Sequence, residues 1–209
     1  LESDLPDPND KLFLPAACEK IVHYVRLTNG GAFVLFTSYT MLNEAAERLA
    51  EPLAELNLPM LVQGHGPPPR VLLERFRTTP NAVLLGVSSF WQGIDVPGEA
   101  LSCLLIDKLP FEVPDDPVTA ARMKWAAAQG GNAFYQYQVP RAVIQLKQGV
   151  GRLIRSSQDR GVAAIFDMRL RAKSYGQLFL QSLPRFRLID STEPMDMFLD
   201  SHVFEKPSE

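Results

Sequence analysis

Apolar positions change their period along the chain, and the changes predict short strands alternating with helices. Between Leu14 and Leu27, Ala17, Ile21, Val22 and Val25 recur at near-helical spacing, and Asn29-Gly30-Gly31 supplies a helix stop and a turn. Ala32 to Thr37 is a continuous apolar run, too short for a helix, and reads as a strand buried on both faces. After a cap at Thr37-Ser38, Leu42, Ala45, Ala46, Leu49, Leu53 and Leu56 form one stripe of a helix over Met41 to Leu56. The pattern then repeats. Pro59 to Gln63 predicts a short strand, Pro69 to Phe76 a short helix, Ala82 to Val87 a buried strand, Leu101 to Asp107 a fourth strand and Val162 to Asp167 a fifth. Strand and helix in alternation predict an α/β doubly wound fold, with a mainly parallel sheet and helices on both faces.

Between Asp107 and Val162 the rhythm breaks. A loop carrying Pro110, Pro114 and Pro117 leads into a helix over about Asp116 to Gln129, and a second helix follows the Gly130-Gly131 break. This predicts a helical insertion at about 110–140, whose continuation, Val139 to Leu153, runs into a basic stretch. Residues 1–200 read as one domain and 201–209 as a polar tail.

Composition changes this picture little. The 209 residues are 46% hydrophobic and 22% charged, as in ordinary globular proteins, and no apolar run approaches the roughly 18 residues of a membrane helix. No association with a membrane is expected. Cys18 and Cys103 are the only cysteines, too few for a disulfide framework or a four-thiolate metal site, and they read as buried free thiols of a reducing cytosol. His23, His65 and His202 lack ligand spacing, and no metal ligands are expected. The chain opens at Leu1 without a Met or a basic-then-apolar leader, which suggests a piece of a longer polypeptide.

Charge does change it. The formal net charge is −3, yet Arg141 to Arg187 holds ten Lys or Arg against two acids, or +8, leaving 11 basic against 22 acidic residues, or −11, elsewhere. Arginines interleaved with Gly and apolar residues suit an anion-facing surface.

The chemistry of such a fold belongs in the loops after the strands. Thr37-Ser38-Tyr39-Thr40 puts hydroxyls at a helix N-terminus, fit for capping or for phosphate. Gly86 to Asp95 combines two serines, two glycines, Phe90, Trp91 and a carboxylate in one loop. On a helix Gln148, Arg152 and Arg155 share a face, and Gly151 permits close approach of another backbone. Two guanidinium forks on one face suit phosphate oxygens and the charge that develops on a transferring phosphoryl group.

These stretches together resemble a known family. Gln148, Gly151, Arg152 and Arg155 resemble motif VI of superfamily-two helicases, Gly86 to Asp95 their motif V, and Val34 to Tyr39 their motif IV. The spellings Ser89-Phe90-Trp91-Gln92-Gly93-Ile94-Asp95-Val96, Ile106-Asp107-Lys108-Leu109-Pro110-Phe111 and Lys147 to Arg155 are similar to the second motor domain of the DinG and YoaA DNA helicases, relatives of XPD, over roughly residues 12 to 200.

The resemblance implies a RecA-like motor domain that works with an N-terminal motor domain of the same polypeptide, ATP with Mg²⁺ lying between the two and single-stranded DNA across both. It implies Arg155 as the arginine finger, with Arg152 beside it and Gln148 orienting the region of the attacking water. Gly93, Asp95 and Gly151 would lie at the nucleotide and motor interface. Ser38, Tyr39, Ser88 and Ser89 would face DNA, Phe90 and Trp91 would stack on bases or pack beneath the loop, and Arg141, Arg169 and Arg171 would meet backbone phosphates. No phosphate loop and no Asp-Glu metal motif occur in this sequence, so ATP and Mg²⁺ would be held mainly by the other domain, and the chain alone is expected not to hydrolyse ATP. An iron–sulfur cluster, where the parent has one, needs four cysteines of the first motor domain and lies outside this chain. The resemblance also implies a cytoplasmic, nucleoid-associated protein with replication or repair partners. The alternative is a non-catalytic helicase-like module that binds DNA or such a partner.

Overall fold

The computed structural model describes residues 2, 4–87, 90, 101–113, 116–151, 153, 161–184 and 189. Five strands form one parallel sheet: β1 (Ala32–Phe36), β2 (Met60–Val62), β3 (Val83–Val87), β4 (Cys103–Ile106) and β5 (Val162–Ile165), in the order β2-β3-β1-β4-β5. Val34 lies opposite Leu85 on one side and Leu105 on the other. The helices among the described residues are α1 (Phe13–Leu27), α2 (Tyr39–Glu55), α3 (Pro69–Thr78), α4 (Pro117–Ala128), a π-helical turn (Phe134–Gln138), α5 (Val139–Val150), α6 (Arg169–Ala172) and α7 (Gly176–Ser182). The expected α/β doubly wound architecture is the one observed.

Two apolar layers explain why the strands are apolar throughout. Val34, Phe36 and Leu105 pack with α1 and α2, while Phe33, Leu35, Leu104 and Ile106 pack with α3, α5 and α7. Each strand alternates between two cores, so its period of two is hidden by hydrophobicity on both sides. Crossover hand assigns the helices to their faces. The step from β1 to β2 runs one way across the sheet, whereas β2 to β3 and β4 to β5 run the other way. With one hand of crossover, α2 must cover one face and α3 and α5 the opposite one, as they do.

Local chemistry sets the element ends. The N–H of Gly30 donates to Val25 O (2.8 Å), with Asn29 and Gly30 at φ 50° and 76°. A Cβ at Gly30 would lie 2.0 Å from the Asn81 carbonyl oxygen, so this stop admits only glycine. Ser38 Oγ accepts from Met41 N (3.2 Å) and caps α2, as the sequence predicts, and the Asp116 carboxylate accepts from Thr119 N (2.8 Å) to cap α4.

Three local expectations are corrected. The helix after Gly130-Gly131 begins as a π turn: Asn132 Oδ1 accepts from Phe134 N (3.0 Å), and Pro140 brings no N–H to a tighter ladder. The helix expected to reach Leu153 ends at Val150. The two short helices α6 and α7 were not expected; they bury Leu170 and Phe179 against the sheet, and four or seven residues show no readable period. Cys18 and Cys103 are buried free thiols, as expected.

Candidate nucleic-acid and nucleotide interface

The carboxyl ends of the strands gather the polar residues. The chain leaves β1 toward β2 in one direction and enters β4 and β5 in the other, so the switch point of the sheet lies between β1 and β4. A shallow open cleft sits there, lined by Thr37, Asp107, Lys108, Gln145 and Gly149 together with apolar Leu35, Ile106 and Leu146. The helix that walls it, α5, carries Gln148 on its exposed side and leads to Gly151.

Two buried carboxylates organise the loops around this cleft. Asp107, 1% exposed, accepts from Thr37 N (3.3 Å), Thr37 Oγ1 (3.4 Å) and Lys108 N. Burial pushes its carboxyl pKa up to about 7, against the opposing pull of those donors and of the Lys108 charge. Lys108 turns away, its ammonium donating to Pro8 O and lying 5.0 Å from the centre of the Phe13 ring, and burial holds its pKa below the usual lysine value. Asp167, at the end of β5, accepts from Leu109 N (2.8 Å) and from Arg169. Each carboxylate therefore fixes the backbone of a loop that begins on a neighbouring strand.

The expected site residues fall in different places. Ser38 and Tyr39 are exposed at the N-terminus of α2. Arg141 is exposed and ion-paired with Glu112, which also accepts from Tyr137 Oη (3.0 Å) and Thr119 Oγ1 (3.0 Å). Those hydrogen bonds hold the Glu112 carboxyl below its usual pKa although partial burial opposes them. Arg169 makes a two-pronged pair with Asp167 and lies 5.5 Å from the centre of the Phe111 ring. Of the two roles expected for Phe90, stacking and packing, packing is the one observed. Phe90 is 6% exposed and packs edge-on against Phe33 with centroids 6.1 Å apart, so it serves the core between β1 and α3 and offers no stacking platform. Ser88, Ser89, Trp91, Gly93, Asp95, Arg152 and Arg155 lie outside the described residues. On the described part of that surface Gln148 presents an exposed amide and Gly151 carries no side chain, the Lys147 carbonyl oxygen lying 3.1 Å from where a Cβ would sit.

Sequence reasoning missed Gln63, Asp107, Asp167 and Glu112 as organising residues. A signal existed for three of them: Gln63, Asp107 and Asp167 are the first polar residues after apolar runs that end strands. Among the described residues, no three His, Cys, Asp or Glu side chains gather as a metal site would need, and no helix is long and apolar enough to cross a membrane.

A parallel sheet with helices on both faces and polar loops at its switch point defines a doubly wound α/β domain. Residues 21–186 match the helicase C-terminal domain family, and the chain belongs to that family. It is 46% identical over 180 residues to the Haemophilus influenzae ATP-dependent DNA helicase YoaA, covering 86% of this chain and 28% of that protein. With the Escherichia coli YoaA it shares 48% identity over 160 residues, covering 77% of this chain and 24% of that protein. The Bacillus subtilis 3'-5' exonuclease DinG is 39% identical over 161 residues, 77% of this chain and 17% of that protein. The chain thus spans about a quarter of the length of the YoaA relatives. Among solved structures, S. tokodaii Xpd4 superposes with a TM-score of 0.62 at 17% identity, covering 89% of this chain and 37% of that one. An XPD helicase superposes with a TM-score of 0.63 at 20% identity, covering 88% and 33%. The shared fold is the RecA-like one.

Proposed function

We propose that this chain is the second motor domain of an ATP-dependent DNA helicase that tracks on single-stranded DNA, acting with a first motor domain of the same polypeptide. The observation that carries this reading is the pairing of β1 with β3. Phe36 lies in register with Val87, so the strands that end just before Thr37-Ser38 and just before Ser88-Ser89 are parallel neighbours, and the family resemblance implies DNA contacts for Ser38, Ser88 and Ser89. Sequence similarity to proteins named ATP-dependent DNA helicases supports it.

ATP with Mg²⁺, bound mainly by the first motor domain, supplies the phosphoanhydride whose hydrolysis drives movement. Toward it this chain offers Arg155 as the finger, Arg152 beside it, Gln148 on the exposed side of α5, and Gly93, Asp95 and Gly151 along the interface. Ser38 and Tyr39, with Ser88 and Ser89, take the DNA backbone, and Arg141 reinforces them by charge once it exchanges Glu112 for phosphate. Asp107 holds Thr37 in place next to Ser38. On this reading the protein works in the cytoplasm, on nucleoid DNA.

DNA-stimulated ATP hydrolysis by the full-length polypeptide tests the reading. Arg155→Ala at saturating DNA is expected to lower turnover by roughly 10³ to 10⁵, the usual cost of a lost finger, while DNA binding persists. Equal turnover of the two proteins overturns the role of Arg155, and no DNA-stimulated hydrolysis by either overturns the motor reading.

A further inference from the structure

Gln63, the first residue after β2, has both ends of its side-chain amide engaged although it stands at an open edge of the sheet. Its Nε2 donates to Tyr39 Oη (2.7 Å), and its Oε1 accepts from Val87 N (2.8 Å). Its own N–H donates to Leu85 O (3.0 Å), and the residue is 7% exposed. In the order β2-β3-β1 one side chain therefore spans the carboxyl ends of three strands. Gly86 makes the room: a Cβ there would lie 3.0 Å from the Phe33 ring and 3.4 Å from Gln63 Oε1. The next residues add a second tie between the same loop and α2, His65 Nε2 to Asn43 Oδ1 at 2.9 Å.

The direction of the Tyr39 bond matters chemically. A carboxamide nitrogen only donates, so the phenolic oxygen is the acceptor in this bond, and among the described residues none accepts its own hydrogen. Tyr39 is 51% exposed. Its hydroxyl, held by the amide behind it and polarised by that bond, is an oriented donor, the kind of group a phosphate oxygen accepts from.

We propose that Gln63 is a positioning residue for single-stranded DNA, holding the Tyr39 hydroxyl as a phosphate donor and locking it to the end of β3 at Val87. The proposal rests on the motor reading above. Nothing charged is involved, so Gln63 affects the strength of DNA engagement and not the number of phosphates neutralised. An unheld tyrosine must be immobilised on binding, an effect of roughly three- to tenfold in affinity.

The test uses the full-length polypeptide, a labelled oligothymidine and three variants: Gln63→Met, which keeps the volume, Tyr39→Phe, which removes the hydroxyl and with it the acceptor of Gln63 Nε2, and the double variant. Each single variant is expected to raise the DNA concentration giving half-maximal ATP hydrolysis roughly three- to tenfold. In Gln63→Met turnover at saturating DNA should stay within about twofold of the parent, and in neither single variant should the slope of log affinity against log salt move. The double variant should be no weaker than the weaker single, because both act through one hydroxyl. Half-saturation within twofold of the parent in both single variants, with normal DNA stimulation of the parent, overturns the proposal and leaves the motor reading intact. A lower thermal midpoint and lower DNA-free hydrolysis in Gln63→Met with unmoved half-saturation also overturns it, since that is a purely structural role. If Gln63→Met does not fold, Tyr39→Phe decides by the same half-saturation criterion. A parent without DNA-stimulated hydrolysis removes the motor reading, and the proposal with it.

Discussion

Arg169 grips Asp167 with two nitrogens at once, Nη2 to Oδ2 at 2.6 Å and Nε to Oδ1 at 2.8 Å, at the carboxyl end of β5. The Asp167 side chain is fully buried and Arg169 is about a quarter exposed, so the guanidinium is the paired counter-charge of a carboxylate whose other hydrogen bonds come from the backbone N–H groups of Leu109 and Arg169. Its planar fork is also what lies against Phe111.

Removing that cation should show as lost stability before it shows as lost DNA binding. Arg169→Ala leaves Asp167 buried with backbone N–H partners only, at an expected cost of about 2–4 kcal/mol, and Arg169→Lys should recover only part because an ammonium cannot make the two-pronged pair. Denaturant midpoints measure this. An unchanged midpoint with weakened DNA binding would assign Arg169 to phosphate instead.

Asp107 predicts a pH dependence of opposite sign to that of an ordinary surface carboxylate. Its folded pKa is raised to about 7 from 3.8, so between those values the folded state binds the proton that the unfolded state has lost. Stability should therefore fall as pH rises from about 4 to about 7 and level off above. Asp107→Asn keeps an acceptor for Thr37 N and removes the titration. The difference between parent and variant stability should shift across that window, which urea unfolding at successive pH values reads; a constant difference would mean that Asp107 ionises as if exposed.

Both thiols should be inert in the folded protein. Burial pushes the Cys18 pKa up to about 11 and the Cys103 pKa up to about 12, and the thiolate is the reactive form. Mass spectrometry after iodoacetamide treatment at pH 8 should find no adduct at either thiol in the native state and two adducts in denaturant. Rapid modification of Cys103 in the native protein would contradict its place in the core beneath α1.

At Gly30 a methyl group is expected to be severe. Gly30→Ala combines φ 76° with a Cβ placed 2.0 Å from the Asn81 carbonyl oxygen, so the turn between α1 and β1 must move or the loop before β3 must yield. A loss above about 2 kcal/mol is expected from thermal or urea unfolding. Gly130→Ala serves as the comparison, because it too has positive φ (86°) but nothing within 4 Å, and it should cost about 1 kcal/mol.

Much of the fold was legible because its signals are local. The apolar runs that begin at Ala32, Ala82 and Leu101 have the length of doubly covered strands, and the stripe from Leu42 to Leu56 has a helical period. Ser38 reads as a cap from its place before that stripe, and the arginines of the basic stretch stand in a pattern that chemistry associates with phosphate. What the sequence could not decide is everything that depends on strand order. Nothing local tells that β3 enters between β2 and β1, yet that order alone lets Gln63 reach both Tyr39 and Val87, residues 24 positions away on either side. Nothing local tells that Asp107 reaches back 70 residues to Thr37, that Arg141 meets Glu112, or that Phe90 turns inward against Phe33. Secondary structure follows from neighbours a few residues apart, whose preferences the sequence records directly. The site is made of contacts between distant segments, whose partners are chosen only when the sheet assembles and burial makes each polar group find the donor or acceptor nearest to it in space.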